Sequence, residues 1–336
     1  MNMFSAVVGA LMVGLATFDL FVTVLTTRGG GPISKRLSTW SWRAMLRLRR
    51  AGRLQPLLGF SGPVIAVLTV VGWIAMFWAG WTLIFSAAPG QIVRSTTGEP
   101  ADLWARLYFT GYTLFTLGLG DYRPEGSLFQ VLTALTVGNG FIVISLSASY
   151  LIPLLSAATA KNSAALQIHS LGSSPGAILI GTWDGKSFPG LSQQLVALSS
   201  MVIQAGQQHL AYPVLHHFQP LEAKAALPVQ TARLSEALLL LEHGVAPQAR
   251  LPRAITRPLR EAVGLFVEVL ERSQIEAANE IPSQPDLQLL RRAGVPVVSE
   301  KEFREAVDEQ REERKKMAGL ATSSGWEWAQ VSGAGT

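Results

Sequence analysis

No cysteine occurs in the chain, which excludes disulfides, thiolate metal centres and cysteine nucleophiles. Charge is also scarce, at 15% of residues against 49% hydrophobic, and the apolar residues gather before Lys161. No nucleophile with a base and an orienting partner, no phosphate cradle and no metal cluster is visible, so an enzyme is not expected. The stretch "GAILIGTWDG" at 176–185 reads as a short strand, but no G-x-G-x-x-G follows it, so a dinucleotide-binding domain is not indicated. The net charge of +5 owes much to one basic loop. Without a basic groove carrying interleaved aromatics, nucleic acid is not an expected partner, and no cofactor is expected.

What is present is length in apolar runs. Met3 to Leu25, Pro63 to Ala87 and Leu128 to Leu155 are each long enough to cross a bilayer. The first has no basic residue before its apolar stretch and no small-x-small site, so it reads as a retained helix, not a cleaved leader. From Lys161 onward no uncharged run reaches the roughly 20 residues that a spanning helix needs. The fold class expected is therefore an all-α membrane protein with three transmembrane helices and a mainly α-helical soluble C-terminal domain.

Between the first two spans, "RGGGPISKRLSTWSWRAMLRLRRAGRL" holds eight Arg or Lys residues and no acid. The positive-inside rule makes this loop cytoplasmic. The N-terminus is then outside, the segment 88–127 extracytoplasmic and the C-terminal half cytoplasmic, in the inner membrane. Arg36, Arg43, Arg47 and Arg50 share one helical face, with Leu37, Trp40, Ala44, Leu48 and Ala51 on a neighbouring one. Such a helix lies among anionic headgroups over residues 35–53.

The segment "EPADLWARLYFTGYTLF" predicts a helix of three to four turns, with Pro100 and Asp102 as start signals. It is too short to cross about 30 Å of hydrocarbon, so it must enter the membrane and return. Thr116-Leu117-Gly118-Leu119-Gly120 follows as non-helical backbone at membrane depth, whose carbonyls need a partner. Gly118 and Gly120 can take positive φ at little cost, which turns successive carbonyls to one side. Leu117 and Leu119 then point the other way, into packing. The Thr116 hydroxyl adds an oxygen at the inner end, and the Asp121 carboxylate raises cation concentration at the outer mouth.

The pattern T-x-x-T-x-G-x-G-D-Y-x-P, here Thr113, Thr116, Gly118, Gly120, Asp121, Tyr122 and Pro124, resembles the selectivity filter of the potassium channel superfamily. Residues 63–158 resemble the two-helix pore module of bacterial ion channels, and "GLGDY" is similar to filters of two-pore-domain channels. The resemblance implies that the carbonyls of Thr116, Leu117, Gly118, Leu119 and Gly120 coordinate permeant potassium. It also marks two departures. Leu119 stands where the commonest relative has tyrosine, which removes a phenol hydrogen bond behind the filter, and Phe115 replaces a threonine. A ring of carbonyls needs four filter strands and the chain has one, so a homotetramer is expected.

In the third span Gly138 and Gly140 read equally as close packing or a gating hinge. Asn139 faces either the cavity or a neighbouring helix. Asp19, inside the first span, is either an ion or proton site or a partner of the basic interfacial helix, the latter preferred. His209, His216 and His217 read as packing or surface histidines in preference to a metal or pH site. Helical periodicity marks 191–210, 230–242, 257–272 and 300–316.

The domains expected are 1–27, a transmembrane helix; 28–56, the interfacial helix; and 57–160, the pore module, with outer helix 63–87, pore helix 102–115, filter 116–121 and inner helix 128–158. A cytoplasmic helical domain of unidentified ligand follows at 161–317, and a flexible tail at 318–336. The function expected is a tetrameric potassium channel with a cytoplasmic regulatory or assembly domain. The alternatives are a weakly selective monovalent cation channel and a membrane-anchored sensory or binding protein with a poorly conducting pore.

Overall fold

The computed structural model describes residues 2–26, 29–50, 60–271 and 277–333, with side chains of 45–50 and 271 excluded. Of the basic segment 28–56, residues 28 and 51–56 lie outside the described residues. So do Arg272 and residues 334–336 of the expected tail. The chain forms two compact units, which divide at Leu155 and Ser156.

Among the described residues α1 (Met3–Leu25), α3 (Ser61–Ser86) and α5 (Ser127–Leu171), the last in the first unit only as far as Leu155, are the helices long and apolar enough to cross a membrane. α1 lies antiparallel along α3. Asn2 donates its amide to Ala87 (2.6 Å) and Ser5 its hydroxyl to Leu83 (2.8 Å). The two helices meet closely at a pair of glycines, where a Cβ on Gly9 would stand 2.5 Å from the Gly80 carbonyl oxygen. Small residues at such a crossing let backbones approach, which is how helices associate in lipid where no hydrophobic drive separates them from the tails.

α2 (Pro32–Arg50) starts with Pro at its first position, where the missing N–H costs nothing. Its Lys35, Arg36, Trp40 and Arg43 are exposed, while Leu37 lies against Gly72 of α3. After α3 a short antiparallel pair forms, β1 (Ile92–Arg94) with β2 (Tyr122–Pro124), in the register Ile92 to Pro124, Val93 to Arg123 and Arg94 to Tyr122. Between these strands α4 (Leu103–Leu114) is capped by the Asp102 side chain, which accepts from the Ala105 amide. α5 does not stop at 158: it runs unbroken to Leu171 with Pro153 inside it.

The second unit is built of helices around one apolar core. The expected strand at 176–185 is instead α6 (Pro175–Ile180), because Ser174 and Pro175 supply an N-cap and a first-turn proline. α7 (Leu191–Ala211) is followed by a tight 3-10 turn over Pro213–His217. α8 (Leu227–Leu239) is buried along its length, and α9 (Arg253–Glu271) follows. The short α10 (Leu287–Arg292) and α11 (Glu300–Glu309) follow residues 277–286. The periodicity expected over 300–316 is carried by two helices, α11 and α12 (Arg311–Ser323), divided at Gln310.

The expected flexible tail from Ala318 is not found. Ala318, Leu320 and Ala321 of α12 and Val331 of α13 (Trp328–Ser332) are buried. The buried Arg233 of α8 holds this end down by donating to the carbonyls of Val331 (3.2 Å) and Gln330. Its small residues are packing surface, not the composition of a loose end.

Candidate functional site: a carbonyl ladder behind a short helix

α4 ends where its apolar side is most buried, with Phe109 to Leu114 enclosed. The chain then leaves the helix through two tight bonds, Thr116 N–H to Thr113 (3.1 Å) and Leu117 N–H to Tyr112 (2.8 Å). From there every second residue has positive φ: Thr116 at 60°, Gly118 at 57° and Gly120 at 81°. Alternating the sign of φ in this way turns successive peptide units so that their carbonyls share one side, instead of alternating as in a strand. The glycines pay little for this geometry. Thr116 does so at a strain of order 1–3 kcal/mol, and it is the sole non-glycine with positive φ among the described residues.

Among the described residues no hydrogen bond reaches the carbonyl oxygens of Thr116, Leu117, Gly118 or Leu119. Four successive acceptors without a protein donor form an oxygen ladder beside the negative end of the α4 dipole. A Cβ on Gly118 or Gly120 would meet nothing of its own chain within 4 Å, so the constraint on both is conformational. Leu117 and Leu119, expected in packing, are exposed on the single chain at 64% and 54%.

Leu119 leaves its own position without a phenol, but two phenols stand beside the segment. α4 supplies both: Tyr112 donates to the Tyr122 carbonyl (2.6 Å) and Tyr108 to the Asp121 carboxylate (2.8 Å). The rings pack edge to face at 5.2 Å. Both tyrosines showed in the sequence only as helical spacing, since their acceptors follow a segment of irregular backbone. From α3, Trp78 donates to the Leu107 carbonyl (2.9 Å) and sets its ring edge-on to Phe115 at 5.9 Å. Asp121 thus stands at the end of the ladder, held by one phenol.

An ion channel family model matches residues 64–157, the stretch that contains most of α3, then β1, α4, the ladder, β2 and the apolar part of α5. Over 329 residues the chain is 32% identical to the uncharacterized membrane protein YdjJ of Bacillus subtilis (strain 168), covering 98% of this chain and 96% of that one. The chain belongs to this membrane-protein family, and its residues 64–157 are similar to the ion channel family. No solved structure matches.

Within the matched segment the three residues of the third span have separate surroundings. Gly140 touches the end of α4: a Cβ there would fall on the Leu114 carbonyl oxygen and lie 2.7 Å from its carbon. Gly138 has nothing within 4 Å of where its Cβ would be. Asn139 turns to the neighbouring helix, where its side-chain oxygen accepts from Trp81 of α3 (3.1 Å).

Asp19 is fully buried, and its partners are backbone and hydroxyl groups of α2, not its arginines, together with Trp73 of α3. The carboxylate accepts the Ile33 amide (2.7 Å), the Ser34 amide (3.1 Å), the Ser34 hydroxyl and the Trp73 indole (2.9 Å). It caps α2 from another helix, where the free amides and the positive dipole end favour a negative charge.

The histidines lie in the second unit. His209 is buried, with Nδ1 on the Ala205 carbonyl (3.0 Å) and its ring edge-on to Phe266. The rings of His216 and His217 are 5.6 Å apart. Among the described residues no group of three or more His, Cys, Asp or Glu could hold a metal. Lys161 is buried beside them and donates to the carbonyls of Leu215 (3.1 Å) and Phe218 (2.7 Å).

Proposed function

We propose that the protein is a tetrameric, potassium-selective channel that conducts passively through the carbonyls of Thr116, Leu117, Gly118, Leu119 and Gly120. The observation that carries this reading is the alternation of positive φ at Thr116, Gly118 and Gly120 beside four carbonyls without donors among the described residues. Oxygen dipoles aligned on one side replace the hydration shell of a cation and repel an anion. One chain brings a single ladder, so four copies around an axis close the ring. Asp121 concentrates cations at its mouth.

Discrimination against sodium rests on a filter that keeps its spacing, one of the proposed origins of selectivity. The Tyr108 and Tyr112 hydrogen bonds supply support that Leu119 cannot. The basic α2 puts its own side in the cytoplasm, and its exposed Lys35, Arg36, Trp40 and Arg43 suit an anionic lipid surface. The N-terminus is then outside and the helical second unit cytoplasmic, where it regulates or assembles the pore.

The test is cation flux into liposomes holding the purified protein, comparing potassium, rubidium and sodium, with Gly118→Ala as the blank. At φ 57° a Cβ strains the residue whose carbonyl stands mid-ladder. Potassium flux well above sodium, lost in the variant, is the expected result. Equal potassium and sodium flux would overturn selectivity, and flux unchanged by the variant would overturn the ladder as the path.

A further inference from the structure

The fifth carbonyl of the ladder differs from the other four. Gly120 O accepts the hydroxyl of Ser95 at 2.6 Å, whereas Thr116, Leu117, Gly118 and Leu119 receive no hydrogen bond among the described residues. Ser95 comes from the residue just after β1, and it is held there independently. Its amide donates to the Asp121 carbonyl (2.9 Å), and β1 is registered against β2 through Arg94 to Tyr122. Arg94 also donates to the Tyr122 hydroxyl (2.9 Å) and lies over its ring at 5.2 Å. The hydroxyl is thus aimed by a strand pair, a backbone bond and a side-chain contact.

A carbonyl oxygen has two lone pairs, and a donated hydroxyl uses one and draws electron density from the other. We propose that Ser95 is a specificity-determining positioning residue: its hydroxyl holds Gly120 O and weakens it as a cation ligand, so strong coordination ends at Leu119. The proposal rests on the reading of residues 116–120 as the ion path and goes beyond it by assigning the outer boundary of that path to a residue outside the filter. A weak outermost ligand lets an arriving cation shed water in steps and lets a departing one leave, which conduction requires of a multi-site pore.

Ser95 is exposed, so its replacement does not empty a core. The probe is barium, a divalent cation of about potassium's size, added to the Asp121 side of planar bilayers holding the full-length channel. Ser95→Ala frees the Gly120 lone pair, and half-blocking barium concentration should fall about fivefold, the ratio set by one neutral hydrogen bond. Ser95→Thr keeps the hydroxyl and should restore the wild-type value, which a loss of mouth structure would not do. Block unchanged or weakened in Ser95→Ala, or not restored in Ser95→Thr, would overturn the role of Ser95 while leaving the pore intact. Absence of any cation current in the wild type, with none in liposomes, would overturn the ion-path reading and this proposal with it.

Discussion

Trp73 donates its indole N–H to the Asp19 carboxylate over 2.9 Å, and so ties α3 to the group that caps α2. One buried acid joins α1, α2 and α3. Its charge is met by amides at a helix start, a hydroxyl and an indole, none of them basic.

Asp19→Ala would leave the Trp73 indole and the Ile33 and Ser34 amides without their acceptor. At about 1–3 kcal/mol for each buried group left unpaired, the expected loss is about 3 kcal/mol or more. Asp19→Asn keeps one acceptor oxygen and should lose less. Thermal unfolding in detergent measures both, and an alanine variant as stable as wild type would contradict the clamp.

Gly140 and Gly138 give a matched pair. A Cβ at Gly140 falls on the Leu114 carbonyl, while one at Gly138 meets nothing of the chain. Gly140→Ala must push α5 away from the end of α4, at a cost of about 3 kcal/mol, and should abolish flux through a displaced ladder. Gly138→Ala should fold as wild type. Equal thermal stability of the two variants would show that the α4–α5 contact is not what requires glycine.

The ladder was legible because its signals are local: a helix too short to span, then glycines two apart and an acid. Thr116 at φ 60° was not, since threonine disfavours that conformation and only the surrounding bonds impose it. Nor could Asp19 be assigned to its acceptor role, because the amides it caps lie 14 and 15 residues further on. The end of the chain reads as loose from its small residues, yet those residues are what lets α12 and α13 pack, with Arg233 reaching Val331 of α13 from 98 residues away. Non-local hydrogen bonds separate what the sequence carries from what the fold adds.

Burial holds the imidazoles of the second unit below their ordinary value of 6.5, His209 and His217 at about 3 and His216 at about 4. Lys161 adds to the effect at all three, and His216 at His209 and His217. The unfolded chain therefore takes up protons first. Their contribution to stability is complete above pH 6.5 and is lost as pH falls from 6.5 toward about 4 for His216 and about 3 for His209 and His217, by at most about 1.4 kcal/mol per pH unit for each histidine. Amide hydrogen exchange in α7 should speed up across this window, and His216→Gln should flatten the dependence. Exchange independent of pH between 7 and 5, after correction for intrinsic rates, would contradict it.

Arg314 and Glu236 form a two-point ion pair, Nε to Oε1 at 2.7 Å and Nη2 to Oε2 at 3.0 Å, with side chains 4% and 3% exposed. Arg314 also donates to the carbonyls of Pro282 (3.2 Å) and Ser283 (2.7 Å), so it fastens residues 282–283 to α8. Burial raises the Glu236 carboxyl above its ordinary value even though Arg314 opposes this. Arg314→Met removes the opposing charge and leaves Glu236 buried alone, at an expected cost of about 3–5 kcal/mol at pH 7. With its folded value raised further above the unfolded one, Glu236 in that variant regains stability as pH falls and the carboxyl takes a proton. The double variant Arg314→Met with Glu236→Leu removes both charges and should recover much of the loss. Melting temperatures of the three proteins between pH 7.5 and 5 decide the matter: a single variant no less stable than the double at pH 7 would mean that the pair is not what the buried carboxylate depends on.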